Sequence, residues 1–217
     1  MIVNERIVTY IHSLEKSNSP ILEEIEKYAL DTYVPIIRKE MESFLKVMVM
    51  MKRPKRILEV GTAVGYSALL MSEYMPQDCI ITTIENYNKR IPIARENFRK
   101  AGKEDRIHLI EGDATVIMPT LNDKYDFIFM DAAKGQYINF LPQILRLLDK
   151  EGILISDNVL QDGDLIESRY GIVRRNRTIH GRMRKYLYEL KNHALLETTI
   201  IPIGDGITMS IRKEDNK

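Results

Sequence analysis

From Lys55 to Ser156 the chain alternates short apolar runs with longer amphipathic stretches, and that rhythm restricts it to one architecture. Runs near 56–60, 79–84, 106–110, 125–130 and 151–156 predict strands; stretches near 66–75, 87–101, 113–120 and 136–148 predict helices. Strands alternating with helices at this spacing build a parallel sheet covered by helices on both faces. The ending departs from the rhythm. A helical stretch near 178–192 precedes two runs, Leu195–Ile201 and Ile207–Ile211, which Pro202, Gly204, Asp205 and Gly206 separate as a turn. These read as an antiparallel hairpin joined to a mostly parallel α/β sheet of seven strands.

The first unit, Arg56-Ile57-Leu58-Glu59-Val60-Gly61-Thr62-Ala63-Val64-Gly65-Tyr66-Ser67, has the order strand, glycine turn, helix. That is how a nucleotide-binding βαβ unit opens. Gly61 allows backbone angles a Cβ would forbid, and the following helix aims free N–H groups at an anion. The dinucleotide spacing is not met, because Ala63 and Tyr66 stand where that pattern needs glycine. Glu85 ends the run Ile80-Ile81-Thr82-Thr83-Ile84, where an acid accepts hydrogen bonds from a ribose diol. Adenosine without a diphosphate points to S-adenosylmethionine. Taken alone, the same residues also describe a glycine turn that only closes a strand-to-helix connection.

A length of 217 residues suits one α/β domain with a core that needs no disulfide. The single cysteine, Cys79, lies in an apolar run and reads as core, compatible with a cytoplasmic protein. No run of 18 apolar residues exists, so no membrane span is expected, and Met1–Tyr10 lacks an apolar signal core. Residues 1–53 read as a helical extension and 54–217 as the catalytic domain. Ile7, Ile11 and Leu14 share one helical face, Ser19-Pro20 starts a second helix, and Asp31 is expected to cap a third with Pro35 in its early turns. Met41, Phe44, Leu45, Met48 and Val49 recur at helical spacing as core or subunit contact. The corner Val34-Pro35-Ile36 is a candidate lid over the cofactor.

Open α/β sheets bind ligands beyond the carboxyl ends of their strands. Glu85, Gly112-Asp113-Ala114, Asp131-Ala132-Ala133-Lys134 and Asp157-Asn158 all fall there. Two carboxylates and an amide from adjacent strands form a hard-oxygen set suited to Mg2+. The other reading is that these carboxylates only cap the helices that follow.

Together these segments resemble the cation-dependent class I S-adenosylmethionine O-methyltransferases, the family of catechol and caffeoyl-coenzyme A O-methyltransferases. The resemblance runs from about Pro35 to the end of the chain and rests on five motifs in order, the last being Asp157-Asn158-Val159-Leu160. It implies a Rossmann-like fold. It implies that Gly61, Thr62, Gly65 and Ser67 hold the methionine end of the cofactor, with Val34 over it. Glu85 would hold the ribose, and Asp113 and Ala114 would border the adenine. Asp131, Asp157 and Asn158 would bind magnesium, Asp131 also reaching the cofactor, and Lys134 would sit beside the reacting oxygen. Related enzymes are commonly homodimers.

Net charge is +1, yet Arg169–Lys185 holds seven Lys/Arg and no acid. Such a patch just past Asp157-Asn158 suits a polyanion and is more than a small catechol needs; the plainer reading is a solvated basic face. Asp131–Tyr137, Arg174-Arg175-Asn176-Arg177 and Ile201–Gly206 resemble the branch of the family that methylates 5-hydroxyuridine at the wobble position of tRNA. That resemblance makes the anticodon stem-loop the expected partner, with Arg174, Arg175, Arg177, Arg182, Arg184 and Lys185 on its phosphates. Tyr137, Tyr170 and Tyr186 are candidates to stack on a base. The absence of Trp disfavours a tight catechol slot. Competing readings are a methyltransferase of small catechol-like compounds, an RNA-binding protein without catalysis and a nicotinamide dehydrogenase.

Overall fold

The computed structural model describes residues 2–168 and 170–214; Arg169, the first residue of the basic stretch, lies outside the described residues. Three helices come first: α1 (Glu5–Leu14), α2 (Pro20–Asp31) and α3 (Lys39–Lys52). The alternation then follows as β1 (Arg56–Val60), α4 (Tyr66–Tyr74), β2 (Ile80–Glu85), α5 (Ile91–Lys100), β3 (Ile107–Glu111), α6 (Ala114–Ile117), β4 (Tyr125–Met130), α7 (Tyr137–Leu147) and β5 (Leu148–Ser156). The chain closes with α8 (Arg177–Asn192), β6 (Leu196–Ile201) and β7 (Ile207–Arg212).

The seven strands lie in the order β3-β2-β1-β4-β5-β7-β6. Pairing is parallel from β3 through β5, and β7 runs antiparallel to both β5 and β6. The order reverses between β1 and β4, so a crevice for ligands opens above their carboxyl ends. Strand alternation divides the core in two. Ile57, Phe127 and Ile155 face α2–α5 with Leu45 and Leu70, while Leu58, Ile128 and Leu154 face α7 and α8 with Leu141 and Leu190. The first face therefore includes the N-terminal helices, whose Leu22 and Met41 join the same cluster. Cys79 is fully buried, and burial pushes its thiol up to about 12, which suits core packing and not nucleophilic chemistry.

Several expectations are corrected. Asp31 is the last residue of α2 and caps nothing; α3 begins only at Lys39. Pro35 disfavours helical angles at Val34, and no helix forms before Lys39, whose N-cap Arg38 is extended. The helix expected over 113–120 is one α-turn followed by a 3-10 turn, Met118–Thr120, in which Pro119 cannot donate to the ladder. Helix α5 starts at Ile91 instead of residue 87, with Pro92 in its first turn. In α3, Met41 and Met48 are buried, whereas Met50 and Met51 are exposed. No described helix is long and apolar enough to cross a membrane.

Candidate active site

Above the β1/β4 crevice lies a cavity of about 560 Å³, within the size range of roughly 300–1,000 Å³ usual for small-molecule sites. One wall is the glycine turn. Gly61 has φ +105°, and a Cβ on it would meet the Asp131 carbonyl oxygen at 2.1 Å. No other residue lets β1 and β4 end so close together, so Gly61 sets the depth of the crevice.

Glu85 is held by three main-chain donors. Its Oε2 accepts from Ala63 N at 2.7 Å, and its Oε1 from Asn86 N at 3.0 Å and Tyr87 N at 2.8 Å. It thereby ties the glycine turn to the end of β2 and presents a rigid carboxylate to the cavity. Behind it stands Glu59, fully buried in β1. Ser67 Oγ and Thr83 Oγ1 donate to its two oxygens, each at 2.5 Å, and Thr83 Oγ1 lies 2.6 Å from Thr62 Oγ1. Burial pushes the Glu59 carboxyl up to about 7, against those two hydroxyl donors. Asp113 caps α6 by accepting from the hydroxyl and N–H of Thr115, and these bonds, the hydroxyl first, hold its pKa below the usual carboxylate value.

The ends of β4 and β5 bring Asp131, Asp157 and Asn158 together. Asn158 Nδ2 donates to Asp131 Oδ1 at 3.1 Å, and Asn158 N to Asp157 Oδ1 at 2.7 Å. Asn158 holds φ +59°, which aims its amide back across the crevice. Burial raises both carboxyls, and the charge of Asp131 adds to the rise at Asp157, which reaches about 7. A buried carboxylate, Asp157, and the half-buried Asp131 beside it form a site that a hard divalent cation would neutralise, with the amide oxygen as a third donor. Among the described residues, no three His, Cys, Asp or Glu side chains form a metal-ligand group.

Lys134 Nζ reaches into the same cavity and donates to Asp205 Oδ2 at 3.1 Å. Beneath the pair sits Tyr137, fully buried, its hydroxyl 3.1 Å from Met130 O and 3.0 Å from Asp157 O. Across the mouth, Pro35, Ile36 and Arg38 line the opening.

Of the expected cofactor residues, Gly61, Thr62, Ser67, Glu85, Asp113, Ala114 and Asp131 line the cavity. Val34 and Gly65 do not. Val34 packs against the core under α3. Gly65 (φ +85°) caps α4, and a Cβ there would meet the Phe98 ring at 2.5 Å, so its need for glycine comes from its left-handed backbone and from packing. Tyr137 and Tyr186 are also corrected: both are fully buried, edge to face at 5.5 Å, and cannot stack on a base. Tyr170 is exposed.

The basic stretch forms a 3-10 turn, Arg174–Asn176, and then α8. Arg177 turns inward to Ile172 O, and Arg182 Nη1 donates to Gly135 O at 3.1 Å, beside Lys134. Arg184 reaches Glu167 O only at 3.5 Å. Arg174, Arg175, Arg182, Arg184 and Lys185 are exposed.

Sequence reasoning assigned no role to Glu59, Arg38 or Asp205. A lone carboxylate inside a buried apolar strand was the available signal for Glu59. Asp205 resembled an ordinary turn residue.

A model of the O-methyltransferase family matches residues 11–213. The caffeoyl-CoA O-methyltransferase of Populus kitakamiensis is 31% identical over 183 residues, covering 78% of this chain and 74% of its own. The structure of the Podospora anserina methyltransferase PaMTH1 bound to S-adenosylhomocysteine superposes with a TM-score of 0.86 at 30% identity, covering 98% of this chain and 97% of that one. An O-methyltransferase from Bacillus cereus, also in complex with S-adenosylhomocysteine, shares the fold at a TM-score of 0.84 and 23% identity, covering 96% and 97%.

Proposed function

The chain belongs to the O-methyltransferase family, as an S-adenosylmethionine-dependent enzyme of the caffeoyl-CoA and catechol type, and on that premise we propose that it methylates 5-hydroxyuridine at the tRNA wobble position with the help of magnesium. The observation that carries this reading is the exposed run of cations on the 174–185 segment, joined to the catalytic cavity where Arg182 holds Gly135 O, next to Lys134. A small catechol has no use for such a surface, whereas an anticodon stem-loop does.

The 5-hydroxyl and 4-oxo oxygens of the base are neighbours, as the two oxygens of a catechol are. An anticodon loop offers an unpaired base that can leave its stack and enter a cavity. Asp131, Asp157 and Asn158 would hold the magnesium. When bound, a divalent cation lowers the pKa of a hydroxyl it touches and screens the resulting oxyanion. Glu85 accepts from the ribose diol of the cofactor, and Thr62 and Ser67 border its methionine end. With the acceptor's hydroxyl proton released to water beforehand, Lys134 would donate to the resulting oxyanion, which would attack the methyl carbon in line as the carbon–sulfur bond breaks and S-adenosylhomocysteine leaves. Alignment of these three atoms is the largest contribution the protein makes.

The similarity to caffeoyl-CoA and catechol O-methyltransferases favours a second reading, a small catechol-like acceptor. The same experiment separates the two. Purified protein is incubated with S-adenosylmethionine, magnesium and either tRNA carrying 5-hydroxyuridine or caffeic acid, with an EDTA control, and products are read by mass spectrometry. Gain of one methyl on the nucleoside, lost in EDTA, is expected. Methylation of caffeic acid alone would replace the tRNA reading with the second.

The reading places the enzyme in the cytoplasm as a homodimer. The exposed apolar faces of α1 (Ile7, Tyr10, Leu14) and α3 (Met50, Met51) are the surface for that contact. Sedimentation of the intact protein tests it.

A further inference from the structure

Asp205 is 4% exposed, in the turn between β6 and β7, yet it lines the cavity. Its two oxygens do different things. Oδ2 accepts from Lys134 Nζ at 3.1 Å, while Oδ1 accepts from Asp162 N. The same turn is latched to the segment that follows the Asp157-Asn158 pair: Val159 N donates to Gly206 O at 2.8 Å and Leu160 N to Asp205 O at 2.9 Å. A Cβ on Gly206 would meet the Leu160 side chain at 2.3 Å, so that side chain packs directly on the turn's backbone. Asp205 is therefore anchored on its main chain and on one carboxylate oxygen, and only the other oxygen is presented to Lys134.

Lys134 is a long side chain, 36% exposed, on a 3-10 turn at the cavity wall. Left alone it would sample many rotamers, most of them pointing to solvent. An ammonium has three donors and no acceptor. With one donor committed to a fixed carboxylate, the ammonium is held at the cavity wall and its other two donors stay free for a ligand there.

We propose that Asp205 is a positioning residue for methyl transfer: it holds the Lys134 ammonium over the Asp131/Asp157 crevice so that Lys134 meets the acceptor oxygen already oriented. This rests on Lys134 acting at the acceptor oxygen, as in the proposed function. In this role Asp205 acts only through the lysine.

A double-mutant cycle on the full-length protein tests this, using Lys134→Met, Asp205→Asn and the double variant. Asn at 205 keeps an oxygen for Asp162 N and loses the charge and the acceptor that face Lys134. Rates are measured with S-adenosylmethionine, magnesium and whichever of 5-hydroxyuridine tRNA or caffeic acid the wild-type protein methylates. Lys134→Met should lower kcat by about 100-fold and Asp205→Asn by about 10-fold, with KM for S-adenosylmethionine held within about twofold. In the double variant the Asp205 effect should vanish, leaving the rate of Lys134→Met alone. A further loss in that background would overturn the inference and leave the role of Lys134 standing. An undiminished kcat in Lys134→Met would remove both. Asp205→Glu, which keeps the charge and moves it by one methylene, runs through the same cycle if Asp205→Asn does not fold. Independently of any acceptor, crystal structures with S-adenosylhomocysteine should show Lys134 Nζ displaced in Asp205→Asn. An unmoved lysine there also overturns the inference.

Discussion

Ser67 Oγ donates to Glu59 Oε1 at 2.5 Å, and so links the first turn of α4, at the cofactor cavity, to a carboxylate with no solvent exposure. The strand supplies the acid and the helix satisfies it. Burial outweighs the two hydroxyl donors, and the carboxyl rises from 4.5 to about 7 in the folded protein.

That rise has a definite sign. In the unfolded chain Glu59 ionises near its ordinary value, so folding carries no penalty below about pH 4.5; the penalty grows as pH climbs to 7 and is complete above it. A shift of this size corresponds to roughly 3 kcal/mol. Glu59→Gln keeps groups that can bond both hydroxyls and cannot ionise. The variant should gain about 2–3 kcal/mol over wild type at pH 8 and little at pH 4.5. Urea melts at the two pH values check this, and equal differences at both would show that Glu59 does not titrate in the fold.

Gly65 and Phe98 form a lock of a different kind. A Cβ at Gly65 would overlap Phe98 Cε1 at 2.5 Å, on a residue with φ +85°. Gly65→Ala should cost about 2–4 kcal/mol, part from the left-handed backbone and part from overpacking. Shrinking the ring should recover the second part only. Phe98→Leu should therefore cost less in the Gly65→Ala background than in wild type, by at least about 1 kcal/mol. Strict additivity of the two variants in thermal melts would refute this packing constraint.

What the sequence made legible follows from local rules. β1 is bounded to the residue at Arg56–Val60 because charge precedes it and glycine follows it. The carboxyl-end residues Glu85, Asp131, Asp157 and Asn158 were readable because any parallel sheet brings its strand ends together. Pairings between distant segments were not. Lys134 and Asp205 lie 71 residues apart and meet only because β7 pairs with β5. Tyr137 falls on the same helical stripe as Phe140, Leu141 and Ile144, but its edge-to-face contact with Tyr186 of α8, 49 residues away in the chain, is a tertiary pairing. The Asp31 error arose from treating an acid before an apolar stripe as a cap, when Pro35 delays that helix to Lys39.

With no cation bound, the Asp157 carboxylate destabilises the fold. Burial, and then the charge of Asp131, raise its carboxyl to about 7, so the cost of ionising Asp157 in the fold is complete above that pH and disappears as pH falls toward the usual carboxylate range. Asp157→Asn keeps an acceptor for Asn158 N and removes the repulsion. In EDTA at pH 8 the variant should be more stable than wild type by at least about 1 kcal/mol, at the expense of activity. Millimolar magnesium should raise the melting temperature of wild type and leave Asp157→Asn unchanged. A variant less stable than wild type in EDTA would contradict the electrostatic reading of the pair.

The basic segment is separable from the cavity because its cations differ in what they hold. Arg177 and Arg182 bond carbonyls of the protein, so replacing them disturbs the 172 loop or the Lys134 turn. Arg174, Arg175 and Lys185 are exposed and supply charge without lining the cavity. Replacing those three by alanine should raise KM for tRNA about 10-fold or more and leave kcat on a small acceptor unchanged. Every phosphate that is no longer neutralised should also flatten the dependence of log kcat/KM on log salt by roughly 0.7–0.9. A triple variant that keeps the wild-type salt slope would mean that these side chains face only water, and the basic segment would then say nothing about the substrate.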